Sequence, residues 1–343
     1  MRNETRRLFN TYLNVLAELN GVEASTINGS SMNFVVEPSV EQKLENRIQE
    51  SSEFLSRINI SGVRDLKGEK IGLGIGSTIA GRTNTNTTDR PTQDPSALDN
   101  LFYELFQTNF DTHITYAKLD TWSKFPDFQT RIRDAIIQRC ALDRIMIGWN
   151  GTSAAVATNR GANPLLQDVN KGWLQHLRED KPAHLMDEGT VEASKILVGE
   201  GGDYATLDAL VWDLYNGLMP SWAVGDTELV AIVGRKLLHD KYFPLINQEE
   251  KPTEQQARDV IMSSKRLGQL PAYQVPFFPD NSVVVTRFDN LSLYYQEGRR
   301  RRTVVDNAKR DRIENYESSN EGYVVEDYDY LVAAENIELV TAG

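Results

Sequence analysis

A single cysteine, Cys140, in a chain of 343 residues excludes an intrachain disulfide framework and fits synthesis in a reducing compartment. Long hydrophobic runs are also missing. Apolar residues reach 40%, enough for a sizeable core, yet no run approaches the length that spans a bilayer, so no membrane partner is expected. The N-terminal MRNETRRLFNTYLNVLAELNG is charged at both ends and has no apolar signal core, which leaves a chain expected to be cytosolic when made. Basic residues are in deficit, 37 against 49 acidic, giving a formal net charge of -12. Such a molecule repels polyanions overall, so a dedicated DNA-binding protein is a poor fit.

Catalytic patterns are absent as well. His113, His176, His184 and His239 stand far apart, in neither an HExxH nor an HxH arrangement, which argues against zinc. No GxSxG elbow occurs. Gly72, Gly74 and Gly76 are spaced closely enough to approach a phosphate, but no helix start and no Gly-Lys-Ser/Thr follows them. Cys140 lies in a helical stretch without the basic neighbours that favour a thiolate, and is expected as a small buried apolar residue. Glu326, Asp327 and Asp329 could hold a divalent cation, but they match no EF-hand spacing and are expected to be solvated or matched to arginines. With no catalytic constellation, cofactor or metal site expected, a structural or assembly role is favoured over an enzyme.

What is present is long-range organisation. Residues 4–20 carry Leu8, Tyr12, Leu16 and Leu19 at helical spacing with Gly21 as the closing residue. The small, polar VEASTINGSSMNF that follows predicts a flexible connector, so the helix is either a detachable, partner-binding element or an ordinary first helix docked on the domain. A second amphipathic helix is expected over 38–57 through Val40, Leu44, Ile48 and Phe54. From Lys67 to Ala80 the apolar residues Ile71, Leu73, Ile75 and Ile79 recur at period two, a strand signal. A long polar loop follows, and LFYELFQTNFDTHITYAKLD returns in alternation, so an extended hairpin should project from the body.

Residues 127–149 predict the longest helix, with Phe128, Ile132, Ile136, Cys140 and Ile147 on its stripe. A compact α/β lobe is expected over about 200–275, built from a helix at 205–219, a buried strand at 229–234 and helices at 235–246 and 253–264. Beyond it Ser282–Phe288 and Leu291–Gln296 alternate around an Asp-Asn pair, a hairpin signal, and YVVEDYDYLVAAENIELV is again strand-like.

The segments NVLAELNGV, FVVEPSVEQKL, QESSEFLSRINI, LKGEKIGLGI, DFQTRIRDAIIQR, NPLLQDVNKGWLQ, GGDYATLDALV, VAIVGRKLLHDKYFPLIN, RLGQLPAYQVPFFP, LSLYYQEG and DRIENYESSNEGYVVEDY resemble, in order and from end to end, the major capsid proteins of P2-like tailed bacteriophages. The resemblance implies an α+β chain with the Hong Kong 97-type capsid fold. Its parts would be a propeptide helix and connector (1–34), an N-terminal arm (35–63), an extended β-hairpin loop (64–112), a peripheral domain (113–199 and 276–343) with a spine helix at 127–149, and an axial domain (200–275). It also implies pentamers and hexamers in an icosahedral head around double-stranded DNA, an internal scaffold that is also a protease, and a portal at one vertex. The N-terminal segment would be removed in maturation, with the cut in the connector at Asn28, Gly29, Ser30, Ser31, Met32, Asn33 or Phe34. The alternative reading, a scaffold or maturation protease, would need a Ser-His-Asp arrangement and long heptad helices, and neither is present.

One stretch remains. Arg299, Arg300, Arg301 and Arg302 form a basic run, but between Glu297 and Tyr330 seven basic residues face nine acidic ones, so the segment nets -2. Arginine suits bidentate carboxylate pairing at interfaces. The run is therefore expected to serve in contacts between subunits, ahead of a solvated turn or a contact with packaged DNA.

Overall fold

A computed structural model describes residues 1–19, 34–70, 80–90, 92, 101–122, 125, 128–246 and 265–340. Among these, two large sheets organise the chain. The first has seven strands around one long strand, Arg312–Val325, which is 14 residues long. Along one of its sides run Leu291–Gln296 and then Arg301–Asn307, both antiparallel to it. Along the other run Phe106–Asn109 and Thr112–Thr115. Asn59–Val63 and the short Phe34–Val35 complete the sheet at its edges.

On the first side the register jumps. Tyr295 faces Glu321 and Arg301 faces Ser318, so the five residues 296–300 lie opposite only Ser319 and Asn320. This large bulge turns at Gly298, whose φ of 65° lies where a glycine has no Cβ to clash. The arginine run begins inside it.

The 23-residue helix Phe128–Asn150 packs against this sheet, as the sequence spacing predicts. Its buried stripe includes Ile137, Cys140, Ala141, Arg144 and Ile145, spaced i, i+3, i+4, i+7 and i+8, with an arginine among the apolar residues. The helix does not stop at Gly148. That glycine instead lets Trp173 press against the helix, since a Cβ there would stand 2.3 Å from the indole ring. Trp149 and Trp173 meet edge-on at 5.0 Å, and Phe54, Phe278 and Tyr323 close the aromatic cluster around them.

The helix Pro38–Glu50 ends seven residues before the expected position. Its buried face is also turned: Glu41, Glu45 and Ile48 are inside, while Val40 and Leu44 are only half-buried.

The second sheet has six strands in the order Arg266–Leu267, Leu270–Tyr273, Val230–Val233, Val283–Thr286, Val332–Ala334, Leu185–Met186. Three of these lie outside 200–275, so the lobe's sheet does not end at that boundary. Strand Val283–Thr286 joins this sheet and Leu291–Gln296 the first, with the short 3-10 turn Phe288–Asn290 between them. The expected hairpin is therefore not formed. Both strands alternate as a hairpin would, but each finds its partner far away in sequence.

Central strands here are covered on both faces, which explains their continuous apolar runs. Ile232, Val284 and Ala333 face the core under the long helix, whereas Ala231, Val233, Val283, Val285, Val332 and Ala334 face the helix Leu207–Leu218. That helix starts at Thr206, whose hydroxyl accepts the Ala209 N–H at 3.2 Å, and buries Leu207, Leu210, Val211, Leu214 and Tyr215 on one face. The helix Arg235–Ile246 follows the central strand as expected. The helix expected over 253–264 and the strand positions 71–79 lie outside the described residues.

Two smaller units complete the picture. Lys67–Lys70 and Leu101–Glu104 pair antiparallel as the base of the expected hairpin, with Lys67 Nζ 2.6 Å from a Glu104 oxygen. The first helix, Asn3–Leu19, lies on the chain through its own small core of Leu13 and Ala17 against Val36, Leu119, Val304 and Ile313.

Candidate functional site

The residues that could have carried chemistry are occupied in structure. The His184 ring Nδ1 is 2.9 Å from the Tyr328 carbonyl oxygen and 3.1 Å from that of Leu331, and it serves as a brace. Burial pushes the Cys140 thiol up to about 12, which leaves it un-ionised and inert. Glu326 accepts the Tyr294 hydroxyl at 2.8 Å, Asp327 caps the following turn by accepting the Asp329 N–H, and Asp329 lies 3.7 Å from Lys181. Among the described residues no three His, Cys, Asp or Glu side chains converge as a metal site would need.

What converges is a buried set of opposite charges. Arg144 on the long helix is fully enclosed. Its Nη1 and Nη2 donate to Glu45 at 2.6 and 3.0 Å, and its Nη2 and Nε donate to Glu321 at 2.6 and 3.2 Å. Both of its carboxylates are thus held by paired N–H groups. Arg300, 1% exposed, donates from Nε to Glu317 at 2.6 Å and from Nη1 to Glu45. Glu45 therefore bridges two guanidiniums. The set ties the helix Pro38–Glu50, the long helix, the bulge and the long strand into one unit.

Its electrostatics follow from this geometry. Burial raises the Glu45 carboxyl, but Arg144 and Arg300 outweigh that and hold it below the usual carboxylate range. Glu317 is lowered in the same way, with Arg300 and Arg302 overcoming burial. Burial works against the Arg144 charge, yet Glu321 and Glu45 keep it well above its ordinary value. Glu41 differs. It accepts the Gly298 N–H at 2.9 Å through one oxygen while the other has no hydrogen-bond partner among the described residues, and burial raises its pKa.

Strand alternation divides the arginine run. Arg300 points inward to Glu45 and Glu317, so its expected role between subunits is replaced by one within the chain. Arg302 is half-buried, donating to Asn315 at 2.8 Å and to the Tyr12 hydroxyl of the first helix at 3.2 Å. Arg299 and Arg301 point outward and are exposed. Of the connector positions, Asn28 to Asn33 lie outside the described residues, and Phe34 pairs with Arg302 at the sheet edge.

Sequence reasoning missed the charge set. Its signal was nevertheless there: Arg144 at an i+4 and i+7 position of an apolar stripe, and Glu41 and Glu45 four apart beside Ile48.

Comparisons with known proteins agree with one another. Residues 8–337 match the family described as phage major capsid protein, P2 family. The chain is 51% identical over 334 residues to the capsid proteins of Escherichia phage P2, covering 96% of this chain and 93% of that protein. It is 40% identical over 335 residues to the major capsid protein of Serratia phage KSP20, covering 96% and 95%. Among solved structures, a chain of the satellite phage P4 procapsid that includes the size determination (Sid) protein matches with a TM-score of 0.81 at 48% identity over 99% of both chains. A capsid chain of an empty GTA particle matches with a TM-score of 0.53 at 15% identity, covering 84% of this chain and 90% of that one, a likeness of fold alone.

Proposed function

The chain belongs to the P2 family of phage major capsid proteins, a structural virion component and not an enzyme, and from that premise we propose how it builds a head. Copies assemble into pentamers and hexamers that close an icosahedral shell around double-stranded DNA. Assembly takes place in the host cytoplasm on an internal scaffold that is also the protease, with a portal at one vertex. In this reading the helix Phe128–Asn150 is the spine, the hairpin based on Lys67–Lys70 and Leu101–Glu104 is the extended loop, and the six-stranded sheet with its helices is the axial part. The near end-to-end match at 99% coverage to a procapsid chain carries the proposal.

The N-terminal helix is read as a propeptide, cut from the body between Asn28 and Val35. Its attachment supports this. It is held by a small satellite core and by exposed contacts such as Arg6 to Asp306 at 3.2 Å, and exposed pairs of this kind contribute only about 0–1 kcal/mol. The helix can therefore leave without disturbing the main core, at the loss of the Tyr12 contact to Arg302. Its departure would remove a group that favours one packing arrangement and shift the balance toward another.

Co-expression with the cognate scaffold, followed by electron microscopy and intact mass, tests both parts. Uniform closed shells are expected, with subunits from mature particles lacking the first helix. Subunits that retain Met1 to Ala24 in mature particles would sink the propeptide assignment. Monomers that digest a partner and form no shells would favour the scaffold or protease alternative.

A further inference from the structure

Arg299 and Arg301 flank a polar cavity of about 290 Å³ on the face of the seven-stranded sheet turned away from the buried charges. Its remaining lining is Leu66, Gln107, Gln296, Ser318 and Asn320, with no carboxylate among them. Two residues apart, both side chains open on the same cavity. Neither has an ion-pair or hydrogen-bond partner among the described residues, whereas Arg300 and Arg302 between and beside them are both engaged.

We propose that Arg299 and Arg301 form a carboxylate-binding site for a second copy of this chain. The inference rests on the shell-forming reading above and narrows it to two side chains and one chemistry. Charge complementarity supports the choice of occupant. The chain carries twelve more acidic than basic residues, so a neighbouring copy presents a mainly acidic surface. Part of that surplus is exposed and without an ion-pair partner among the described residues. Asp187 and Glu188 precede the short strand Ile196–Val198 and Glu200 follows it, in a segment braced by Asp203, which accepts the N–H groups of Thr190, Val191 and Leu197 at 2.6, 2.9 and 2.9 Å.

Two forked guanidiniums lining one cavity suit carboxylates, which accept two parallel hydrogen bonds each. A basic pair in one place meeting carboxylates in another is a heterologous contact, the type that closes into rings. The neutral amides and hydroxyls of Gln107, Gln296, Ser318 and Asn320 can satisfy the remaining lone pairs.

Two measurements test the site. Phenylglyoxal, which modifies accessible arginines, is applied to free subunits and to empty closed shells of the unsubstituted chain. Arg299 and Arg301 are expected to lose at least about tenfold in labelling on assembly, while Arg300 stays unlabelled in both. In the second, R299K/R301K shells built from mixed isotope-labelled and unlabelled copies are treated with a carbodiimide, which joins an amine only to a carboxylate in contact. An isopeptide between position 299 or 301 of one copy and an Asp or Glu of another supports the site.

Closed shells that show neither protection nor such a link overturn the proposal while leaving the capsid reading intact. Protection that appears only in DNA-filled shells overturns it in favour of a phosphate contact. A chain that closes no shells overturns both.

Discussion

The two faces of the central fold are held by different physics. The six-stranded sheet and the helix Leu207–Leu218 enclose a core of aliphatic residues with strands that are buried on both sides. The junction of the long helix with the seven-stranded sheet encloses two arginines and three glutamates beside its aromatic cluster. Aliphatic packing is non-directional and tolerates small errors of fit. A buried ion set is directional, and its members are stable only together, because charges taken out of water must find their partners. The lobe is thus a region that any adequate apolar pattern can hold. The junction is one that forms only when residues 45, 144, 300, 317 and 321 arrive in the same place, which ties the helix Pro38–Glu50 to the sheet.

The largest effect expected from this contrast is at Arg144. Arg144→Ala leaves Glu45 and Glu321 buried without their main partner and should cost about 3–5 kcal/mol, much of an ordinary domain's stability. Urea unfolding of the subunit measures it, and the thiol of Cys140, one turn away and inert in the folded chain, should become reactive at lower urea. R144M/E321L removes one charge of each sign and keeps Glu45 on Arg300, so it should recover more than half of that loss. A double variant no more stable than Arg144→Ala would mean that packing volume, and not charge, sets the cost.

Acid should act on the junction next. Glu45 and Glu317 sit below the usual carboxylate range when folded, while the unfolded chain takes up their protons near about pH 4.3. Between the two values the unfolded state binds more protons. Their contribution is therefore present above about pH 4.3 and is lost as the pH falls toward the folded values. Glu41, raised by burial, has the opposite sign and gains as it protonates, but it stands against two depressed groups. The urea midpoint should fall between about pH 5.5 and 3.5, and by less in a chain carrying E45Q. Equal falls in the two chains would remove the charge set as the cause.

The contrast also explains what could be read from the sequence. The lobe was legible because its period-two and period-3.6 apolar patterns are local: Val230–Val233 and Leu207–Leu218 lie within a residue or two of their expected ends. Family resemblance carried the overall plan. The junction was not legible, because a charged residue on an apolar stripe is read as exposed unless its partners are known, and those of Arg144 are 99 and 177 residues away. The same limit misplaced Val283–Thr286 and Leu291–Gln296, whose alternation states that each is a strand but not which sheet it enters. The arginine run was read as a unit for want of the bulge that sets its inward and outward sides.

A smaller effect is expected in the lobe's aliphatic core. Ile196→Val deletes one methylene from a fully buried site packed with the helix Leu207–Leu218 and should cost about 0.5–1.5 kcal/mol. No ionisable group changes its surroundings, so the difference from the unsubstituted chain should be the same at about pH 5.5 and 3.5. A pH-dependent cost in urea titrations would show that the lobe and the junction are coupled, contrary to the division drawn between them.

The smallest effect separates neighbours in the arginine run. Arg301→Gln replaces an exposed side chain with no partner among the described residues, and substitutions of that kind usually fall within about 0.5 kcal/mol. Arg300→Gln, one residue earlier, strips a guanidinium from two buried carboxylates and should approach the cost at Arg144. Paired urea titrations of the two subunits read the gap directly. A gap of several kcal/mol means that the extended backbone assigns adjacent arginines to opposite tasks, one to holding its own chain and the other to the outer surface. Equal costs would mean that the bulge does not hold the alternation, and that Arg301 is as much part of the junction as Arg300.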